Sequence, residues 1–251
     1  MKKIFLSIVC LIIVVFVSAQ QFIDKATIEY EVKTNVKKKF GDSPWFEQIK
    51  DNMPTFRTQY YNYTFADNKS IYKLSKPDEK ARIPDFMDDS NEANEYYADY
   101  GTGMLQVKKM VIGSPFYIKD SLRAIEWKLV NENMSIAGFN CKKAVGKIFD
   151  SVYVFVYYSE EIPVSGGPCS ISGLPGVIMA MTIPRLFTSW VATKVMVNDV
   201  NVATIKPEGN KKPQPYSEFR KFLLDRTKDW GDGDDGEFKH FKEQFLWSVQ
   251  L

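Results

Sequence analysis

Few side chains in this sequence have the types and spacing that catalysis requires. His240 is the single histidine of the 251 residues, so a triad built on a serine or cysteine nucleophile would have to use it. We expect His240 to be a solvated helix residue, because a catalytic base also needs specific partners. Glu160 and Glu161 are adjacent in an extended segment, where successive side chains point to opposite faces. The sequence therefore supplies no catalytic residue, and we expect a protein without enzymatic activity.

Metal and cofactor binding have equally little support. Residues 232–237 read Asp-Gly-Asp-Asp-Gly-Glu, but Gly236 takes the fifth position, where a calcium loop of the EF-hand type needs a ligand. We expect a solvated turn there. Zinc sites draw on several cysteines and histidines, and this chain has three cysteines and one histidine in all. Since the sequence also lacks a phosphate-binding glycine loop, no metal and no cofactor is predicted.

The N-terminus has the pattern of a cleaved secretory signal peptide. Lys2 and Lys3 precede an apolar stretch over residues 4–17, and Ser18 and Ala19 fit a small-residue cleavage site. We expect residues 1–19 to be removed and residues 20–251 to form a periplasmic, secreted or outer-membrane-associated protein. Cys10 lies too early in the apolar stretch for lipid attachment. No second stretch is long enough to span a bilayer, so no transmembrane segment is predicted in the mature chain.

The charge balance argues against nucleic-acid partners. Removing residues 1–19 takes away two lysines and no acid, so the 33 basic residues become 31 against 31 acidic ones. A neutral protein has no general electrostatic attraction to nucleic acid or to an anionic membrane. Hydrophobic residues make up 45% of the chain and aromatic residues 14%, which is enough for a substantial core.

Alternation of apolar and polar residues predicts a chain made mainly of strands. In residues 151–159 both faces are apolar, which predicts a central strand covered on both sides. Residues 75–95 are rich in proline and acids and predict a mobile polar surface loop. The strands are expected over residues 26–33, 56–65, 70–74, 96–100, 104–110, 115–118, 125–130, 142–149, 151–159, 177–183 and 188–197.

Helical spacing appears mainly near the C-terminus. Residues 217–228 and 237–247 repeat apolar side chains at helical intervals, and 45–53 reads as a short helix between two prolines. The expected fold class is mainly β (α+β), a curved antiparallel sheet or half-barrel with a few short helices, the longest near the C-terminus. Residues 20–251 are expected to form one domain with a helical segment over 216–251.

Aromatic side chains on the predicted strands admit two interpretations. They could complete a core between the sheet and its helices, as aromatic residues in strands commonly do. Alternatively, they could line an apolar groove that binds a ligand. The candidate groove residues are Tyr61, Tyr63, Tyr153, Phe155, Tyr157 and Trp190.

Two cysteines remain after cleavage, Cys141 and Cys169. In an exported protein a lone pair is most simply one disulfide. Two buried free thiols and a metal-binding pair are the alternatives.

The run Gly173-Leu174-Pro175-Gly176 predicts a tight turn. Pro175 fixes φ near −65°, and Gly176 would supply the positive φ that the third position of a type II turn needs. The turn would set the register of the following strand; a contact to a ligand is the alternative.

Four elements in order carry a family resemblance. Residues 125–129 form a tryptophan-containing strand around Trp127, and residues 136–144 match the pattern I-x-G-[YF]-x-C-x-K-A. Residues 157–164 match W-[YF]-T-x-E-I-P-[IV], with Tyr157 in place of tryptophan, and the run 173–179 follows, with Val177 in place of leucine. Together these elements resemble the GLPGLI family of exported bacterial proteins. The family has no established activity, so the resemblance implies no catalytic residues.

These observations predict an exported, non-enzymatic envelope protein. Its partner would be an apolar small molecule or another envelope protein. The alternative is a structural or accessory subunit of an outer-membrane assembly that binds no small ligand. An enzyme is the least favoured class, because an acid/base set and a nucleophile are missing.

Overall fold

Eleven strands form one open antiparallel sheet in the computed structural model of the protein. The structure describes residues 22–41, 44–81, 83, 93–197, 200–207, 212–230 and 236–251. The predicted signal peptide, much of the 75–95 loop and residues 232–235 therefore lie outside the described residues. In chain order the strands are β1 Ala26–Asn35, β2 Phe56–Ala66, β3 Lys69–Lys76, β4 Glu95–Asp99, β5 Met104–Val111, β6 Ser114–Ser121, β7 Lys128–Ile136, β8 Phe139–Ile148, β9 Val152–Ser159, β10 Val177–Ile183 and β11 Thr188–Met196.

The helices are few and short, as predicted. They are α1 Val36–Phe40, α2 Pro44–Lys50, α3 Tyr216–Thr227 and α4 Gly236–Gln250, with short 3₁₀ turns at Pro184–Leu186 and Val202–Thr204. The longest two, α3 and α4, lie near the C-terminus. The mainly β fold class is thereby confirmed. None of the helices described here combines the length and the apolar character needed to cross a membrane.

Two consecutive meanders make up the sheet. Its strand order is β6-β5-β4-β3-β2-β1-β11-β10-β9-β8-β7. Neighbouring strands in the sheet are therefore consecutive in sequence except at β1 and β11, and the consecutive strands β6 and β7 form the two edges. At that junction Thr34 lies opposite Thr188, and their hydroxyls are 3.0 Å apart. The β1–β11 pair, the central seam of the sheet, joins the two meanders.

One face of the sheet is covered and holds the main core. Residues directly opposite each other on neighbouring strands share a face, which links Ile118, Val107, Tyr96, Tyr72 and Tyr63 in a single row. All five are buried. Phe219 and Leu223 of α3 are also fully buried in this core, which stabilises the helix by roughly 2 kcal/mol for each side chain. We call this side the covered face and the opposite side the open face.

The end of α4 is fixed to the sheet by two cations. The last four carbonyls of a helix have no partner within it. Lys109 of β5 donates to the Ser248 carbonyl over 3.0 Å, and Arg123, after β6, donates to the Gln250 carbonyl over 3.2 Å. A positive charge at this end also interacts favourably with the helix dipole. The β5–β6 hairpin and α4 are thus held together by hydrogen bonds as well as by packing.

Candidate functional site

A cleft lies between the covered face and the C-terminal helices, and it has two compartments. The larger one, the apolar compartment, encloses about 210 Å³. Its apolar walls come from strands β5 and β6 on one side and from the helical segment on the other. The side chains that form these walls are Leu105, Val107, Ile118, Phe219, Val249 and Leu251.

The alternation of β5 explains the composition of this compartment. Leu105 and Val107 are two residues apart and therefore point to the same face. Lys109 is the next residue on that face, and only 4% of it is exposed. A lysine in this position places an ammonium group at one end of an apolar wall.

Arg123 also lines the apolar compartment. Its Nη2 donates to the Tyr216 hydroxyl over 3.5 Å and to the Gln250 carbonyl. The guanidinium lies 4.4 Å from the centroid of the Phe149 ring, a favourable cation–π distance. Burial lowers the pKa of the Arg123 guanidinium from its usual value. Its buried Nη1 atom has no hydrogen-bond partner.

Asp120 is the one acidic side chain among the described residues that line the apolar compartment. Both of its oxygens are occupied. Oδ2 accepts the Tyr216 backbone N–H over 2.9 Å, and Oδ1 accepts the Ser121 N–H over 2.8 Å. Asp120 therefore anchors the start of α3.

The smaller, polar compartment encloses about 80 Å³. It adjoins the apolar compartment, because Tyr96, Lys109 and Leu251 line both. Three basic side chains line it, those of Lys39, Arg57 and Lys109, and no described lining residue is an aspartate or glutamate. Its charged lining is therefore basic.

Aromatic rings form one wall of the polar compartment. Tyr61 and Tyr72 stack with ring centroids 5.0 Å apart and planes 7° apart, and the Tyr96 ring meets Tyr72 edge-on at 5.9 Å. The Trp190 indole lies near the Tyr72 hydroxyl, but the geometry falls short of a hydrogen bond, so this buried hydroxyl has no partner. Burial raises the pKa of Tyr72 well above its usual value.

The six predicted groove residues are divided between the two faces of the sheet. Tyr61 and Trp190 line the polar compartment. Tyr63 shares their face, but its hydroxyl is bonded to that of Tyr100 over 2.8 Å. There it lies under the loop at Gly166, where an added Cβ would be 2.2 Å from the Tyr63 hydroxyl.

Tyr153, Phe155 and Tyr157 lie on the open face, so the six residues do not form one groove. Val152, Val154 and Val156 alternate with them and are buried on the covered face. Tyr153 is 55% exposed. The prediction that β9 is covered on both sides is therefore wrong, because an apolar pattern on a strand does not itself provide a covering element.

The predicted disulfide is not formed in the structure, where neither Cys141 nor Cys169 takes part in a disulfide. Cys141 is buried on β8, and its thiol donates to the Phe139 carbonyl. Burial raises the pKa of this thiol to about 11. Cys169 is half-buried and lines the polar compartment.

This arrangement predicts unequal thiol reactivity. The thiolate is the reactive form, so we expect a thiol reagent at pH 8 to modify Cys169 in the folded, unreduced protein and to leave Cys141 unmodified. Both should react after unfolding in urea, as measured by mass spectrometry of the alkylated peptides. Absence of modification at both positions in the unfolded, unreduced protein would instead establish the disulfide.

The Gly173–Gly176 segment forms a bend, but it is not the predicted type II turn. Gly173 has the positive φ, at 99°, whereas Gly176 does not. Gly176 is required for a different reason: an added Cβ would lie 2.1 Å from the Ser159 carbonyl oxygen. Trp127 also packs here, donating its indole N–H to the Ser172 carbonyl over 3.0 Å. None of the four predicted turn residues lines the cleft, which favours a structural role.

Other side chains considered for chemistry lie outside the cleft. His240 is half-buried on α4 rather than fully solvated. Glu160 pairs with Lys142 over 2.7 Å, and Glu161 accepts the Asn140 N–H over 2.9 Å. Among the residues that the structure describes, no three His, Cys, Asp or Glu side chains lie close enough together to hold a metal ion.

Sequence reasoning did not find the residues that make the cleft polar. Arg57 and Gln59 precede Tyr61 at alternate positions of β2, and Lys109 follows Val107 in the same way on β5. A polar residue at a core position of an alternating strand was the available indication. Arg123 lies outside any strand, so the pattern offered no comparable indication for it.

The fold has known counterparts among solved structures. PNGF-II, in crystals of space group C2, is similar with a TM-score of 0.52 and 15% identity over 78% of this chain and 32% of PNGF-II. PNGF-II in crystals of space group P21 has a TM-score of 0.52 and 15% identity over 79% of this chain and 33% of PNGF-II. This chain therefore spans about a third of PNGF-II, and the likeness shows a shared fold alone. No family model and no curated protein matches the chain, and the GLPGLI resemblance stays a prediction.

Proposed function

We propose that this protein is an exported, non-enzymatic envelope protein that binds an apolar small molecule in the apolar compartment. The observation that carries this proposal is a cavity of about 210 Å³ whose walls are mainly aliphatic and aromatic. An engineered cavity of about 150 Å³ with similar walls stays dry and binds benzene. A somewhat larger apolar molecule, such as a short alkyl chain, fits the present compartment.

The lining of the cleft supports binding rather than catalysis. The polar side chains of the compartments are cations, amides, tyrosines and other hydroxyls, together with Cys169 and Asp120, and His240 is not among the lining residues. Both Asp120 oxygens hold backbone N–H groups, so this carboxylate has a structural role. The GLPGLI resemblance supports the same class, since that family consists of exported proteins without an established activity.

Filling the apolar compartment should weaken ligand binding. Leu105→Trp adds a ring to its wall, so we expect the affinity for octanol to fall at least about tenfold, because the ligand and the indole compete for one volume. Isothermal titration calorimetry on the mature protein measures this change.

Leu129→Trp is the matched control. Leu129 is 62% exposed on the edge strand β7 and lines neither compartment. Octanol affinity should stay within about twofold of wild type. Equal losses in the two variants, or no octanol binding by wild type, would contradict the proposed function.

The export part of the proposal has its own test. We expect the protein isolated from the envelope to begin at Gln20, because cleavage follows Ala19 in the predicted signal peptide. Intact-mass and N-terminal peptide analysis measure this. An intact Met1 or a lipid on Cys10 would contradict it.

A second candidate is an accessory subunit of an outer-membrane assembly. The open face favours it, because Tyr153 and Val191 are exposed there beside the half-buried Phe155 and Tyr157. Exposed apolar groups of this kind mark protein contacts when they are contiguous. Cross-linking at Tyr153 in the intact envelope, with no apolar molecule recovered from the protein, would support this candidate over the first.

A further inference from the structure

Arg123 is a cation in the apolar compartment that pairs with no carboxylate among the described residues. Both hydrogen-bond acceptors of its Nη2 are neutral oxygens, and its buried Nη1 has no acceptor. Burying a charge without a partner of opposite sign is costly, so buried charges in proteins are normally paired. The compartment therefore contains a cation for which the aspartate and glutamate side chains of the described residues supply no partner.

Holding the end of α4 does not fully explain this arginine. The bond to the Gln250 carbonyl uses Nη2 alone, and a lysine could supply one such donor. Arginine presents its donors as a planar fork that matches the two oxygens of a carboxylate. The unsatisfied Nη1 is the part of that fork that helix anchoring leaves unexplained.

The surroundings of Arg123 favour an anion further. Lys109 brings a second positive charge to the same compartment. Asp120, the acid of this compartment, already accepts backbone N–H groups at both oxygens. The polar compartment, which adjoins the apolar one at Lys109, adds the basic side chains of Lys39 and Arg57. None of its described lining residues is an aspartate or glutamate.

We propose that the ligand is an anionic amphiphile, with an acid headgroup at Arg123 and Lys109 and an alkyl chain against Leu105, Val107 and Phe219. This inference rests on the proposed function, because it assigns the headgroup of the molecule that the apolar compartment binds. The headgroup satisfies Nη1 and provides the missing negative charge, and the chain occupies the cavity.

The test compares two probes that differ only in the headgroup, octanoate and octanol. At pH 8 we expect wild-type protein to bind octanoate at least about tenfold more tightly than octanol by isothermal titration calorimetry. Arg123→Met removes the charge and keeps the length of the side chain. It should lower octanoate affinity at least about tenfold and change octanol affinity by no more than about threefold.

Two further variants separate a charge effect from general damage. Arg123→Lys retains the charge and should recover part of the octanoate affinity. Arg226→Met removes an exposed arginine from α3, outside the lining of either compartment, and should leave both affinities unchanged. If Arg123→Met does not fold, a pH series on wild type replaces it: octanoate affinity should fall toward that of octanol as the probe's own carboxylate becomes protonated.

The outcomes distinguish the two proposals. Equal affinity for octanoate and octanol, or unchanged octanoate affinity in a folded Arg123→Met protein, overturns the anionic headgroup and leaves the proposed function standing. In the pH series, an octanoate affinity that does not change with pH also overturns the anionic headgroup and leaves the proposed function standing. Binding of neither probe overturns the proposed function and this inference with it.

Discussion

Replacing Phe219 by alanine should lower the free energy of unfolding by about 3–5 kcal/mol. Phe219 is fully buried, and its ring lies 5.2 Å from that of Phe116 on β6. Truncating such a residue removes its transfer free energy and leaves a cavity that the surroundings only partly fill. Because the site borders the apolar compartment, the new space should join the cleft. Urea unfolding, read from the midpoint and the slope, measures the effect.

Leu224 provides the control on the same helix. It is 42% exposed on α3, so Leu224→Ala should change stability by no more than about 0.5 kcal/mol. Similar midpoints for Phe219→Ala and wild type would mean that α3 does not dock on the sheet as described. The apolar compartment would then lose one of its walls.

Gly176→Ala should lower the free energy of unfolding by about 3 kcal/mol, which is the second large effect that we expect. The added Cβ would lie 2.1 Å from the Ser159 carbonyl oxygen and 2.6 Å from its carbon. These are backbone atoms of β9, which pairs with β10 through Val177 and Ser159. Relieving the contact requires one strand to move, and overpacking of this kind is strongly destabilising.

Gly173→Ala is the comparison for this variant. Gly173 needs positive φ, but its added Cβ would come no closer than 3.3 Å to the Trp127 indole. The expected cost is mainly the backbone strain, about 1–2 kcal/mol, because the Trp127 indole needs to shift by only a few tenths of an ångström. Urea midpoints of both variants decide the order, and a larger loss for Gly173→Ala would contradict the close-approach explanation.

The strands were predictable because each repeats an apolar residue at every second position. β1 is the clearest case: Ala26, Ile28, Tyr30 and Val32 are buried, and the residues between them are more exposed. The pattern of one strand does not tell which elements cover it. For β9, the alternation of residues predicted correctly that Val152, Val154 and Val156 face a core. It predicted wrongly that Tyr153, on the opposite side of the strand, is covered as well.

The cleft could not be predicted, because its parts are far apart in the sequence. Lys109 and Ser248, which are 139 residues apart, form the hydrogen bond that connects β5 to α4. No local pattern specifies a contact at that separation. Gly176 shows a related limit: a glycine between proline and a strand favours positive φ, but the actual need was room for the backbone of β9.

The central seam of the sheet has a consequence for how the chain folds. Each meander is built from strands that follow one another in sequence, with at most 20 residues between paired strands, so their pairings close loops at modest entropic cost. The seam instead brings together Thr34 and Thr188, which are 154 residues apart. Distant pairings of this kind form slowly. During synthesis from the N-terminal end, β1 therefore has only β2 as its sheet neighbour until β11 is made. The edge of β1 is then an unpaired strand edge, and edges of this kind are sites of aggregation.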